Sequence, residues 1–86
     1  QRLNLAENRI GNTGAEALGA SEWLTELREL TLYGNEIDDV GATALANSSN
    51  FRNLRRLNLG HNDITAQGAE ALRRASSLQH LEMLKV

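Results

Sequence analysis

Eighty-six residues with a formal net charge of −2, no cysteine, no proline and a single Trp, Tyr and Phe fit one small domain with no disulfide, Cys-based zinc site or thiol nucleophile. The near-neutral charge supplies no basic field towards nucleic acid or an anionic membrane, so neither is an expected partner. No apolar run approaches the length of a membrane span, and no basic segment leads an apolar one in the manner of a signal peptide.

With 41% apolar residues and almost no aromatic bulk, the core must come from Leu, Ile, Val and Ala, and self-similarity is the first thing to seek. At an offset of 27, the segments starting at Arg2, Glu29 and Arg56 align without a gap. Each opens on a period-2 apolar pair, Leu3 and Leu5, then Leu30 and Leu32, then Leu57 and Leu59, with Leu84 and Val86 closing the chain. Such alternation predicts short strands with these side chains on one face, while Glu29, Thr31 and Tyr33 face the other way. Asn8, Asn35 and Asn62 follow the strands, where an amide can satisfy otherwise unpaired buried backbone groups. Next come Ile10, Ile37 and Ile64, then segments starting at Gly14, Gly41 and Gly68. Ala15 and Leu18, and Ala42 and Leu45, recur at i, i+3 and predict helices with an Ala-rich inner face. Asp38 and Thr65 are expected to cap the second and third helices, with Gly11 a weaker cap for the first. Leu24, Phe51 and Leu78 then fill the corner before the next strand.

The pattern L-x-x-L-x-L-x-x-N-x-I, at Leu27 to Ile37 and again at Leu54 to Ile64, resembles a leucine-rich repeat, and the resemblance covers the whole chain. Gly-Ala-x-Ala-Leu at Gly14, Gly41 and Gly68 is similar to the ribonuclease-inhibitor-like class, especially to bacterial repeats with a Gly-Ala-x-Ala-Leu-Ala helix. Ser48-Ser49 and Ser76-Ser77 stand where many such relatives carry Ser-Pro. The resemblance implies an α/β fold: a right-handed solenoid with a short parallel sheet on its concave face and helices on its convex face. Residues 1–86 then form a single unit of repeats at approximately 1–26, 27–53 and 54–80, plus a partial repeat at 81–86. It also implies that Asn8, Asn35 and Asn62 form a structural ladder with no binding role. Relatives include inhibitors, immune sensors, GTPase activators and bacterial effectors, so fold alone does not settle function. Because complete arrays carry atypical terminal repeats and none reads as a polar cap, the expectation is a fragment of a longer array, or a chain that covers its ends with another copy.

Across the sheet, the outward columns read Arg2/Glu29/Arg56/Met83, Asn4/Thr31/Asn58/Lys85, Ala6/Tyr33/Gly60 and Glu7/Gly34/His61. The candidate partner-binding residues are Arg2, Asn4, Glu29, Thr31, Tyr33, Arg56, Asn58 and His61, with Trp23 as a secondary contact. Tyr33 offers an aromatic anchor and Arg56 and His61 polar neighbours, side-chain types found at interface hot spots. Another reading makes Arg2, Glu29 and Arg56 a cross-strand charge ladder and packs Trp23 over the corner of the first repeat. At ~4.8 Å between strands, the face covers roughly 250 Å² against ~800 Å² per partner in a standard interface, so binding through it alone should be weak.

Glu36, Asp38, Asp39 and Asp63, with His61 near by, lack the D-x-D-x-D-G order of a calcium loop and read as solvated charge. His80 reads as an exposed loop residue. No nucleophile elbow, H-E-x-x-H, phosphate loop or dinucleotide fingerprint occurs. A non-catalytic module that binds a protein or peptide, without cofactor or metal, is the expectation. Residues 1–43 carry 3 basic and 8 acidic side chains, or −5, and residues 44–86 carry 6 and 3, or +3. This polarity suggests a second function, self-association head to tail as a homo-oligomer, unless neighbours in a longer protein supply the contacts. The lack of cysteine excludes the disulfide-capped ends of extracellular relatives and points to the cell interior.

Overall fold

The computed structural model describes all 86 residues. Alternating Leu side chains produce four three-residue strands: β1 (Arg2–Asn4), β2 (Glu29–Thr31), β3 (Arg56–Asn58) and β4 (Met83–Lys85). Between them lie helices α1 (Gly11–Ala20), α2 (Asp39–Ala46) and α3 (Ala66–Arg74). Short 3-10 turns at Glu22–Leu24 and Ser76–Leu78 follow the first and third helices.

All strands run parallel in chain order, with Leu3 opposite Leu30, Leu30 opposite Leu57 and Leu57 opposite Leu84. The helices pack in the same sequence, α1 on α2 and α2 on α3. The result is an α/β fold of stacked coils, each a strand, a helix and a return.

The second coil is the best buried because it has a coil on either side. Leu27, Leu30, Leu32, Ile37, Leu45 and Phe51 are all nearly inaccessible, joined by Leu54, Leu57, Leu59 and Leu72 of the third. In the first coil Leu3, Leu5, Ile10, Leu18 and Leu24 pack against this cluster but stay half-buried. Burial of each Leu or Phe contributes about 1.5–3 kcal/mol, so the apolar stabilisation is concentrated in the middle of the stack.

Backbone groups left between coils are satisfied by polar side chains reaching across. Asn35, fully buried, accepts from the N–H groups of Asn8 (2.8 Å) and Ile10 (3.1 Å) and donates to the Leu5 carbonyl (2.8 Å). Asn62 repeats this one coil on, accepting from Asn35 and Ile37 (both 2.9 Å) and donating to the Leu32 carbonyl (2.9 Å). Asn8 differs: it is exposed, and its side chain returns to the Ala6 carbonyl in its own turn (3.1 Å). Its part in the ladder is its backbone N–H alone.

A second set of links joins the helix starts. Asn12 Oδ1 accepts from the N–H groups of Asp38 and Gly41 (both 3.0 Å), and Asp39 accepts from the N–H (2.8 Å) and hydroxyl of Thr65. These bonds, together with the Ile four residues before Gly41 and Gly68, leave no room for a side chain at either glycine of the helix starts. A Cβ on Gly41 would lie 2.5 Å from Asn12 Oδ1, and one on Gly68 would lie 2.3 Å from Asp39 Oδ1. At the helix ends the Ser48 hydroxyl donates to the Gly19 carbonyl (2.6 Å) and the Ser77 hydroxyl to the Ser48 carbonyl.

Asp38 and Thr65 cap α2 and α3, accepting from Val40 (2.8 Å) and Gln67 (3.3 Å). Gly11 does not cap α1. It is the first helical residue, with φ +65°, and Ile10 occupies the cap without a side-chain bond.

Candidate functional site

The outward sheet face inherits its chemistry from strand alternation, since Leu30 and Leu57 point inward while their neighbours are left in solvent. A shallow depression of about 200 Å³ lies over β2, β3 and β4, lined by Glu29, Leu30, Thr31, Arg56, Asn58 and Met83. It brings four candidate residues together: Glu29, Thr31, Arg56 and Asn58. Arg2 lies beside it on β1, its Nε 3.5 Å from Glu29. The charge ladder has this one rung only, because the Arg56 side chain makes no ion pair or hydrogen bond within the chain.

Asn4 and Asn58 fold back on their own turns, each side-chain oxygen accepting from the N–H two residues on, Ala6 at 3.0 Å and Gly60 at 2.9 Å. Beyond the strand ends the Tyr33 and His61 rings face each other, centroids 5.0 Å apart and planes tilted by 36°. Gly60 provides the floor: a Cβ there would lie 3.3 Å from the Tyr33 ring and 3.1 Å from Asn58 Oδ1. His61 itself is exposed in a left-handed backbone conformation, φ 55°, while Gly34 fills the equivalent place in the second coil at φ 68°. A non-glycine residue there costs about 1–2 kcal/mol.

Trp23 stands apart from this group. It sits on the Glu22–Leu24 turn at 93% exposure, which rules out packing over the corner of the first coil. Its backbone N–H donates to Ser21 Oγ at 3.4 Å, and its ring has no aromatic partner.

Of the four acidic residues near the strand ends, Glu36 and Asp63 are exposed without a side-chain partner, as solvated charge, whereas Asp38 and Asp39 are part of the scaffold. Asp38 caps α2, and the Thr65 hydroxyl, the Thr65 N–H and the Gly68 N–H hold Asp39 below the usual carboxylate range against a smaller opposing effect of burial. No group of three His, Asp or Glu side chains is arranged to hold a metal ion. Much of the positive charge in the last coils is neutralised locally, by Arg55 with Glu82 at 2.9 Å and by Arg74 and Arg73 with Glu70 at 2.7 and 3.8 Å. Arg56 is left as the free guanidinium on the sheet.

Sequence reasoning missed the Gly60 floor and the Asn12 and Asp39 links. The signal for the first was a glycine directly after Tyr33 in the column Ala6/Tyr33/Gly60. For the second it was Asn12 and Asp39, short polar residues one place after the cap column.

Residues 25–84 match a Leucine rich repeat family and residues 1–19 match a second Leucine Rich repeat family. The chain therefore belongs to the leucine-rich repeat proteins, whose repeats are commonly protein-binding modules and generally non-catalytic. No curated protein matches it at significant similarity. None of its helices is long and apolar enough to cross a membrane.

Proposed function

We propose that the chain is a non-catalytic recognition segment of the ribonuclease-inhibitor-like type, built on 27-residue repeats wound as a solenoid, that binds a protein or peptide across the outward, concave face of its sheet. The observation that carries this reading is the state of that face. The Arg56 side chain is unpaired, and the Tyr33 and His61 rings lie beside each other, tilted and open to solvent. The left-handed turn at His61 belongs to the repeat itself, since Glu7 and Gly34 hold it in the other coils; what the third coil adds is an aromatic side chain at that place, beside Tyr33.

Size sets the affinity. The strands offer roughly 250 Å² against ~800 Å² per partner in a standard interface, so a stable complex also engages the turns beyond the strands, with Trp23 as an additional anchor. The test is capture from a lysate, with the partner identified by mass spectrometry. Tyr33→Ala combined with Arg56→Ala removes the partner, while Val40→Ser, on the exposed surface of α2, leaves it bound. Retention by the double variant, or equal loss with Val40→Ser, refutes recognition through the sheet.

A further inference from the structure

The outward face has an uneven supply of donors and acceptors, and this bears on what it binds. We infer that the depression over β2 and β3 takes a side-chain carboxylate of an acidic peptide, held by the Arg56 guanidinium and the Asn58 amide with the Thr31 hydroxyl at its edge. This rests on the sheet face being the recognition surface and adds the chemistry of the ligand.

Asn58 Oδ1 already accepts from the Gly60 N–H at 2.9 Å, and a backbone N–H cannot be met by the NH2 side of the amide. Its orientation is thereby fixed, and Nδ2 carries two donors that meet no acceptor in the chain. Arg56 adds a planar fork of five donors with no intramolecular partner. The Thr31 hydroxyl is likewise unengaged. Glu29, the carboxylate lining the depression, already faces Arg2. Lys85, opposite Asn58 on β4, adds another charge without an ion pair. The walls are therefore rich in free donors, and the one carboxylate is drawn towards Arg2 on the far side of β2 from Arg56. The complement is a group with acceptors only and a negative charge, and a carboxylate matches the guanidinium fork in two parallel bonds.

Dimensions favour a peptide side chain over a small molecule. About 200 Å³ is below the ~300–1,000 Å³ of typical small-molecule pockets, and an open depression desolvates a free anion too little to hold it. A peptide adds contacts along the face. Tyr33, two residues beyond Thr31, together with the tilted His61 ring presents an aromatic surface for a neighbouring residue of an extended chain.

The experiment uses the whole chain and two fluorescein-labelled decapeptides of alternating Ser and Glu or alternating Ser and Gln, read by fluorescence anisotropy at low salt and by amide chemical-shift mapping. The Glu peptide is expected to bind at least about tenfold more tightly than the Gln peptide, with shifts centred on β2 and β3 and affinity falling as salt rises. Arg56→Gln and Asn58→Asp should each weaken it by about tenfold. Asn58→Asp keeps an acceptor for the Gly60 N–H while replacing the free donors with a charge that repels the ligand. Should it melt early, Arg56→Gln decides, because the Arg56 side chain makes no bond inside the chain. Equal affinity for the two peptides, no binding of the Glu peptide, or unchanged binding to Arg56→Gln overturns the inference. Acetate competing as well as the peptide, mole for mole, also overturns it, leaving a site for free anions. If only the Gln peptide shifts β2 and β3, the carboxylate falls and sheet-face recognition survives. If the Glu peptide shifts only α1–α3, both fall.

Discussion

Replacing Asn35 by Ala removes the side chain that ties the first coil to the second. Four hydrogen bonds go: two accepted from Asn8 and Ile10, and two donated to the carbonyls of Leu5 and Tyr33. They do not count equally. The Tyr33 carbonyl keeps the Glu7 N–H at 2.8 Å, and the Asn8 N–H belongs to an exposed residue that water can reach. The Ile10 N–H and the Leu5 carbonyl, on half-buried residues, lose their only partner. At about 1–3 kcal/mol for each stranded group, the loss is about 2–6 kcal/mol. A chain of this length has a total stability of about 4–13 kcal/mol, so the effect is large. Asn8→Ala removes one bond within an exposed turn and should cost less than about 0.5 kcal/mol. Urea unfolding followed by far-ultraviolet circular dichroism measures both. Hydrogen exchange should show lost protection at Ile10 in Asn35→Ala, with Ile37, held by Asn62, as the internal control. If the two variants differ by less than about 0.5 kcal/mol, bonds between coils are not what this side chain contributes.

Other expectations follow from the same geometry. His61→Gly relieves the left-handed conformation and should raise stability by about 0.5–1 kcal/mol in thermal melts, after allowing for the added freedom of the unfolded chain; a lower melting temperature contradicts the strain. Helix propensity alone predicts that Gly41→Ala stabilises by about 1 kcal/mol, but the new Cβ would sit 2.5 Å from Asn12 Oδ1 and 2.6 Å from Ile37 Cγ2. The sign should reverse, with about 1–3 kcal/mol lost, and a raised urea midpoint refutes it. Because Thr65 and Gly68 lower the Asp39 pKa in the folded state, its contribution is complete above about pH 4 and disappears as pH falls through the folded value. Asp39→Ala should therefore flatten the acid limb of a stability-against-pH curve, and an unchanged limb rules out this linkage. Trp23→Ala should alter stability by less than about 0.5 kcal/mol, and native tryptophan emission should be that of a solvated indole; a blue-shifted native spectrum contradicts the exposed placement.

The strands, the helix positions and the caps at Asp38 and Thr65 were legible because each follows from contacts within one coil. Leu30 and Leu32 alternate, Ala42 and Leu45 share a helix face, and a cap bonds the residue two ahead. What escaped depends on how one coil sits on the next. Asn12 and Asp39 look like ordinary helix-start residues until the following helix is placed beside them, and they then add a second steric cause for the glycine at Gly41 or Gly68 to the Ile four residues before it. Gly11 departs from the cap role of Asp38 and Thr65 because a shared column does not guarantee a shared conformation. On the candidate face, sequence order placed Glu29 between Arg2 and Arg56 and could not say which it would hold. The structure pairs it with Arg2 and leaves Arg56 free. The strain at His61 was equally invisible, since a turn of this kind declares itself only where glycine fills it, as at Gly34.

The two sets of links between coils point in opposite directions along the stack. In one the acceptor belongs to the later coil, as when Asn35 receives the N–H of Ile10; in the other it belongs to the earlier, as when Asn12 receives that of Gly41. A coil therefore engages both neighbours with different side chains, and its own needs are met from both sides. Such a wiring scheme tolerates change in whole coils only. Duplicating the second coil, or deleting it, leaves an acceptor at each of these positions at the new junction, whereas a single inserted residue between Asn35 and Asp39 shifts one set of links against the other. Gene-level growth of this architecture is thereby quantised, and its length becomes an adjustable property while its cross-section stays constant.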